Sequence, residues 1–318
     1  MARLFGPVPS RRLGRSLGVD LIPAKTCPYN CIYCEVGPTT CRSQERFSYQ
    51  TGAIIEELSA YLQTPGARTD VITLAGSGEP TLNLDLGRII REIKAMTPIP
   101  VAVLTNGALL FLPEVRRELA AADIVLPSLD TGYEETYRAI NRPLPELPLD
   151  SLLDGLMAFR REYRGQVWLE VMLLRGLNDT AAELTRLRRA LEKIAPDKIQ
   201  LNTAVRPVVD AGARPLDQAE MAAAAAALGG PVEVIAAFSR ADSAESPRED
   251  NDLVAMLSRR PMTAPDLAQA LGLPLVQVVA RLKRLQDSGR ISHDRYHDEE
   301  FYRSQEMGAV PHGPLAHS

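Results

Sequence analysis

The residues best equipped for chemistry are four cysteines, Cys27, Cys31, Cys34 and Cys41, crowded near the start of a 318-residue chain. An incidental scatter of core cysteines rarely clusters so. The run Cys27-Pro-Tyr-Asn-Cys31-Ile-Tyr-Cys34 is a CxxxCxxC. Three thiolates on one short loop suit three irons of a cubane cluster, leaving the fourth iron open to a small molecule. A zinc knuckle is the competing reading, but it needs a fourth ligand. All four histidines (His293, His297, His312, His317) lie near the C-terminus, so neither that ligand nor a Ser-His-Asp triad is available earlier. Cys41 as a fourth ligand would block the open iron, and we expect it to be a spectator.

These cysteines need a scaffold, and the hydrophobic periodicity supplies one. Apolar runs at 17–23, 71–76, 100–105, 124–129, 167–174, 198–203 and 232–238 alternate with helical patterns at 52–63, 84–96, 112–122, 151–163, 180–194 and 218–229. Strand then helix, repeated, predicts parallel β/α units. The count falls short of eight, so the expected fold class is α/β, a partial (β/α)6 barrel of parallel strands; a doubly wound sheet is the rival. The cysteine loop would directly follow the first strand. We expect residues 1–238 to form this barrel, 239–248 a linker, 249–303 a small winged helix-turn-helix domain and 304–318 a loose tail.

Composition sets further bounds. The chain is 45% hydrophobic and 24% charged with a net charge of -4, so no overall basic field holds nucleic acid or anionic lipid. A local patch would have to do so. Arg3, Arg11, Arg12, Arg15 and Lys25 form a basic N-terminal arm, and Arg281, Lys283, Arg284, Arg290 and Arg295 lie in the expected winged domain. Yet residues 249–303 hold eight Lys+Arg against nine Asp+Glu. His293 and His297 are read as ordinary exposed residues. The sequence has neither a long apolar run nor an apolar leader, so a cytoplasmic protein without a membrane partner is expected.

The cysteine loop, with Tyr33 just before its last cysteine, resembles the radical S-adenosylmethionine (SAM) superfamily. That resemblance implies a [4Fe-4S] cluster on Cys27, Cys31 and Cys34, SAM on the open iron, and reductive cleavage to a 5′-deoxyadenosyl radical. An electron donor such as flavodoxin or ferredoxin is implied too. Gly76-Ser77-Gly78-Glu79-Pro80 resembles the family's turn that receives the SAM ammonium. Thr105 matches a carboxylate contact, and Ser128 and Asp130 match a ribose-binding segment. Asp130 reads equally well as a helix N-cap. Alternation places Trp168, Glu170 and Met172 on one strand face and Gln200 and Asn202 on another. Glu170 and Asn202 are therefore expected at SAM or substrate, although Glu170 paired with a buried arginine is the plainer alternative. The loop Arg175 to Asp179 and the N-terminal opening are similar to a branch related to the wyosine-tRNA synthase. A modified tRNA base is the implied substrate. A peptide, a small molecule, or a redox regulator acting through the winged helix stays open, in a monomer or weak dimer.

Overall fold

The alternating pattern folds as a mostly parallel sheet. The computed structural model describes residues 3–10, 12–64, 68–235, 250–296 and 299–305, in two compact units, Met1–Ala241 and Asp242–Ser318. The first unit runs β1 Leu4–Ser10, β2 Gly14–Val19, β3 Thr26–Cys27, β4 Cys41–Arg42, α1 Thr51–Leu62, β5 Val71–Leu74, α2 Leu86–Met96 and β6 Val101–Thr105. It continues with α3 Pro113–Leu119, β7 Ile124–Pro127, α4 Glu134–Ile140, α5 Leu149–Glu162, β8 Gln166–Leu173, α6 Ala181–Ile194, β9 Lys198–Thr203, α7 Gln218–Leu228 and β10 Val232–Val234.

The main sheet has the order β1-β2-β5-β6-β7-β8-β9-β10. Every pair from β2 onward is parallel, and β1 is antiparallel to β2. An order that never doubles back excludes the doubly wound alternative. The sheet stays open, because β1 and β10 are its two edges. Seven parallel strands answer to the seven apolar runs, one more than the six of the expected barrel. The N-terminal arm is also corrected: its glycine and prolines disguise strand β1, which hydrogen-bonds along β2. The first parallel strand is Gly14–Val19 and not 17–23, because Asp20 turns away to hold the β5 turn. Helix α4 was not expected; only Tyr137 and Ile140 are buried on its seven residues, too few to show a periodicity.

Alternate strand residues serve two faces. Val19, Ile72, Leu74, Val103, Val125, Leu169 and Leu201 face the helices and pack on Ile54, Ile89, Ile90, Val115 and Leu187 in one continuous core. Each such side chain contributes about 1.5–3 kcal/mol by leaving water. The opposite face holds smaller clusters: Val71, Ala102 and Leu126, with Leu13 and Trp168 against them, and Met172 in another. The apolar inventory is spent on the helix side. The inner face is left for polar groups.

The second unit comprises α8 Asp250–Leu257, β11 Met262–Thr263, α9 Ala264–Leu271, α10 Leu275–Asp287, β12 Ile291–Tyr296 and β13 Glu299–Ser304. Its sheet order is β11-β13-β12, antiparallel throughout. A third strand thus joins the expected two-stranded segment, and Ser304, expected in the tail, ends β13. Leu253, Leu257, Leu267, Leu271, Val278, Leu282 and Phe301 are buried within it. The expected linker 239–248, His297 and residues 306–318 lie outside the described residues. Among the described residues no helix is long and apolar enough to cross a membrane.

Candidate functional site

The chain leaves β2 at Asp20 and lays the cysteine segment over the exit of β5. Asp20 accepts from the Ser77 amide at 2.7 Å. Gly76 has φ +144, and a Cβ there would sit 1.7 Å from Asp20 Oδ1. Gly78 faces the cysteine segment itself, with an added Cβ only 2.4 Å from the Thr26 carbonyl oxygen. The two glycines therefore permit a backbone contact that no larger residue allows. Two hydrogen bonds close it, from the Lys25 amide to Ser77 O at 2.5 Å and from the Glu79 amide to Thr26 O at 3.0 Å.

Later elements clamp the same loop from its other side. The Ile32 amide donates to Ile140 O at 2.9 Å and the Asp210 amide to Ile32 O at 3.0 Å. Arg206, only 2% exposed, pairs with Glu35 at 3.2 Å, fixing the residue directly after Cys34. The sulfurs have donors of their own. Asn106 Nδ2 lies 3.3 Å from Cys27 Sγ, the Tyr29 amide 3.4 Å from it, and Asn141 Nδ2 3.7 Å from Cys31 Sγ. Burial pushes all three thiols up; neighbouring cysteines add to the rise at Cys27 and Cys31, while the Val36 and Gly37 amides oppose it at Cys34. Cys41 is exposed on β4, beside β3.

Glu79 is buried, and burial raises its carboxyl pKa. Its Oε1 accepts from the Thr81 hydroxyl and the Thr105 hydroxyl, both at 2.6 Å, and Oε2 accepts from the Asn106 amide at 2.8 Å. Glu79 thus ties the β5 turn to the end of β6, a role its motif did not show. Ser77 and Thr105 are buried with it.

Asp130 caps no helix. It is 2% exposed and accepts from Tyr33 Oη at 2.6 Å, Asn141 Nδ2 at 2.7 Å and the Met172 amide at 2.8 Å. Burial raises its carboxyl to about 6 despite those donors. Asn178, in the loop after β8, donates to the carbonyls of Asp130 and Met172 at 2.8 Å. Tyr33, Asp130 and Cys31 therefore meet at the Asn141 amide in one network.

Ser128 bridges in parallel to Glu170, level with it across β7 and β8. Glu170 pairs with Arg12 at 2.8 Å and accepts from Asn202 Nδ2 at 3.2 Å. Arg12 and Asn202 together fix the Glu170 carboxylate on the inner face of the sheet. In the basic arm Arg3 pairs with Glu57 at 3.4 Å and Arg15 with Asp70 at 3.5 Å, while Arg11 lies outside the described residues. Sequence reasoning missed Asp20, Asn106, Asn141 and Arg206, for which no local signal exists. A separate cavity of about 230 Å³ lies between α5 and α6, lined by Asp150, Asp154, Arg186, Arg189 and Lys193, away from the cysteines.

Residues 21–187 match the family model described as the radical SAM superfamily. The chain is 40% identical over 298 residues to a Brachyspira hyodysenteriae protein named GTPase Obg, covering 92% of this chain but only 44% of that one. It is 39% identical over 206 residues to a UPF0026 protein of Synechocystis, covering 64% of this chain and 76% of that one. Among solved structures, a radical SAM methyltransferase from Sphaerobacter thermophilus shares the fold, with a TM-score of 0.56 at 19% identity, covering 69% of this chain and 65% of that one. The chain belongs to the radical SAM superfamily, whose members are enzymes that use a [4Fe-4S] cluster and S-adenosylmethionine.

Proposed function

We propose that Cys27, Cys31 and Cys34 hold the cluster and that SAM lies along the exits of β5 to β9. Tyr33, Gly76, Ser77, Gly78, Glu79, Thr105, Ser128, Asp130, Glu170 and Asn202 shape its pocket. The donor set suits the cofactor. Three thiols held back from ionising by burial are matched to irons that displace the protons. Among the described residues no three His, Cys, Asp or Glu side chains converge on a single-ion site; a cubane instead takes one thiolate at each of three irons. When bound, cluster and SAM supply reductive cleavage to a 5′-deoxyadenosyl radical that takes hydrogen from a substrate.

The protein's own part is positional. Asp20, Gly76 and Gly78 seat the cysteine loop on β5, and Glu79 locks β5 to β6. The Tyr33–Asp130–Asn141 network holds the loop on β7 and α4. The observation that carries the reading is this seating, which brings the cysteines to the carboxyl ends of the parallel strands, where open α/β sheets bind ligands.

For the substrate we take a modified tRNA base, as the wyosine branch suggests, and read the second unit as a winged helix. Leu275, Val276 and Val279 are exposed on α10, which favours a protein-facing role for that unit as the second reading. The experiment is anaerobic reduction with dithionite followed by assay for 5′-deoxyadenosine, then filter binding of tRNA at about 50 and about 200 mM salt. Release of 5′-deoxyadenosine and salt-dependent tRNA binding support the reading. Iron without SAM binding would leave a redox regulator in its place, and salt-independent or absent tRNA binding would put a peptide or small molecule first.

A further inference from the structure

The inner face of the sheet carries groups that the cofactor reading does not use. In the β8–β9 register Trp168 lies opposite Lys198, Glu170 opposite Gln200 and Met172 opposite Asn202, so all share one face. The β1–β2 turn reaches that face from the end opposite the cysteines: Leu13 packs beside Trp168, and Arg12 pairs with Glu170. A floor results, polar and closed below. The charge of both cations described there is matched, Arg12 by Glu170 and Lys198 by Glu233 at 2.9 Å, with Lys198 also 4.5 Å from the Trp168 ring centre, although Arg12 Nη1 makes no well-aligned hydrogen bond. A phosphate or carboxylate finds no spare positive charge among them.

Two neutral groups also lack hydrogen-bond partners among the described residues. Gln200 is 1% exposed and its Oε1 accepts no hydrogen bond; the buried Trp168 Nε1 donates none. Buried polar atoms left open in this way are expensive, and each calls for a partner. We propose that this floor reads the edge of an uncharged nucleobase, Gln200 accepting from its N–H and Trp168 donating to its carbonyl or ring nitrogen. A base presents donor and acceptor side by side on one rigid edge and enters a pocket as a flat unit. A trans peptide group points its N–H and C=O to opposite sides and cannot meet both. The proposal rests on the radical SAM reading, which places the substrate on this face.

Trp168 is the only tryptophan of the chain, so its fluorescence reports the floor alone. Guanosine, adenosine, cytidine, uridine and a short single-stranded RNA would be titrated into the reconstituted, SAM-loaded protein, with glutamine and inorganic phosphate as comparators. A saturable change with a nucleoside is expected, weakened at least about tenfold by Gln200→Leu. Trp168→Phe, followed by calorimetry, should weaken it likewise. Response to both nucleoside and RNA identifies a base within RNA; response to the nucleoside alone identifies a free metabolite. The proposal is overturned if no nucleoside saturates, if glutamine or phosphate does as well, or if both variants bind like the parent. Iron content and 5′-deoxyadenosine release in the same samples report the underlying reading separately.

Discussion

Asp130 takes three hydrogen bonds in a nearly sealed site, yet burial still lifts its carboxyl to about 6, and Glu170 nearby adds to the lift. A folded-state value above the unfolded one means the native chain holds this proton more tightly. The stability this contributes is complete below the unfolded value of about 4 and is lost as pH rises through about 6. We expect urea unfolding of the apoprotein to show stability falling between those limits by up to about 3 kcal/mol more than in Asp130→Asn. An equal slope in both proteins would remove Asp130 as the source. The cysteines give a second expectation at this scale. Ala at Cys27, Cys31 or Cys34 should abolish the cluster's iron and visible absorption, and Cys41→Ala should keep both. The cysteines were legible because thiolate chemistry is written in residue type and local spacing. Asn106, Asn141 and Arg206 were not, because they reach the loop from elements far along the chain and any sequence could hide them.

The β5 turn shows what an element adds to its motif. Gly78 leaves room for the Thr26 carbonyl, and Gly78→Ala must push the cysteine segment off the strand. We expect iron retention to fall severely while circular dichroism is unchanged, with a stability loss of about 1–3 kcal/mol. Glu79→Gln sets an amide N–H2 against one of its donors, at a cost of about 1–3 kcal/mol. SAM affinity by calorimetry should weaken and iron content should stay. The strands and long helices were legible from their periods of two and 3.6. Strand β1 was not, since Gly6, Pro7 and Pro9 read locally as loop and only its pairing with β2 makes it a strand.

At the scale of the whole molecule, residues 1–238 contain every group assigned to the cluster and SAM. A protein ending there should still release 5′-deoxyadenosine under dithionite, at a rate within about twofold of the full chain, since the chemistry needs only cluster and bound SAM. Loss of that activity would assign the second unit a part in catalysis. The second unit's role was the least legible feature: within residues 249–303 eight basic and nine acidic residues nearly cancel, and α10 exposes Leu275, Val276 and Val279, a surface to which no sequence pattern assigns a role. The strand order bears also on how the molecule is made. Parallel strands added one after another let the sheet grow as the chain emerges from the ribosome, N-terminal part first. The cysteine loop is then synthesised with β2 and β5, while Asn141 and Arg206, which clamp it, come more than a hundred residues later. Until those residues arrive, the loop is held on one side only. On the proposed ligand set, this order gives biogenesis an interval in which iron can enter the loop, and the clamp that ends it would protect what was loaded.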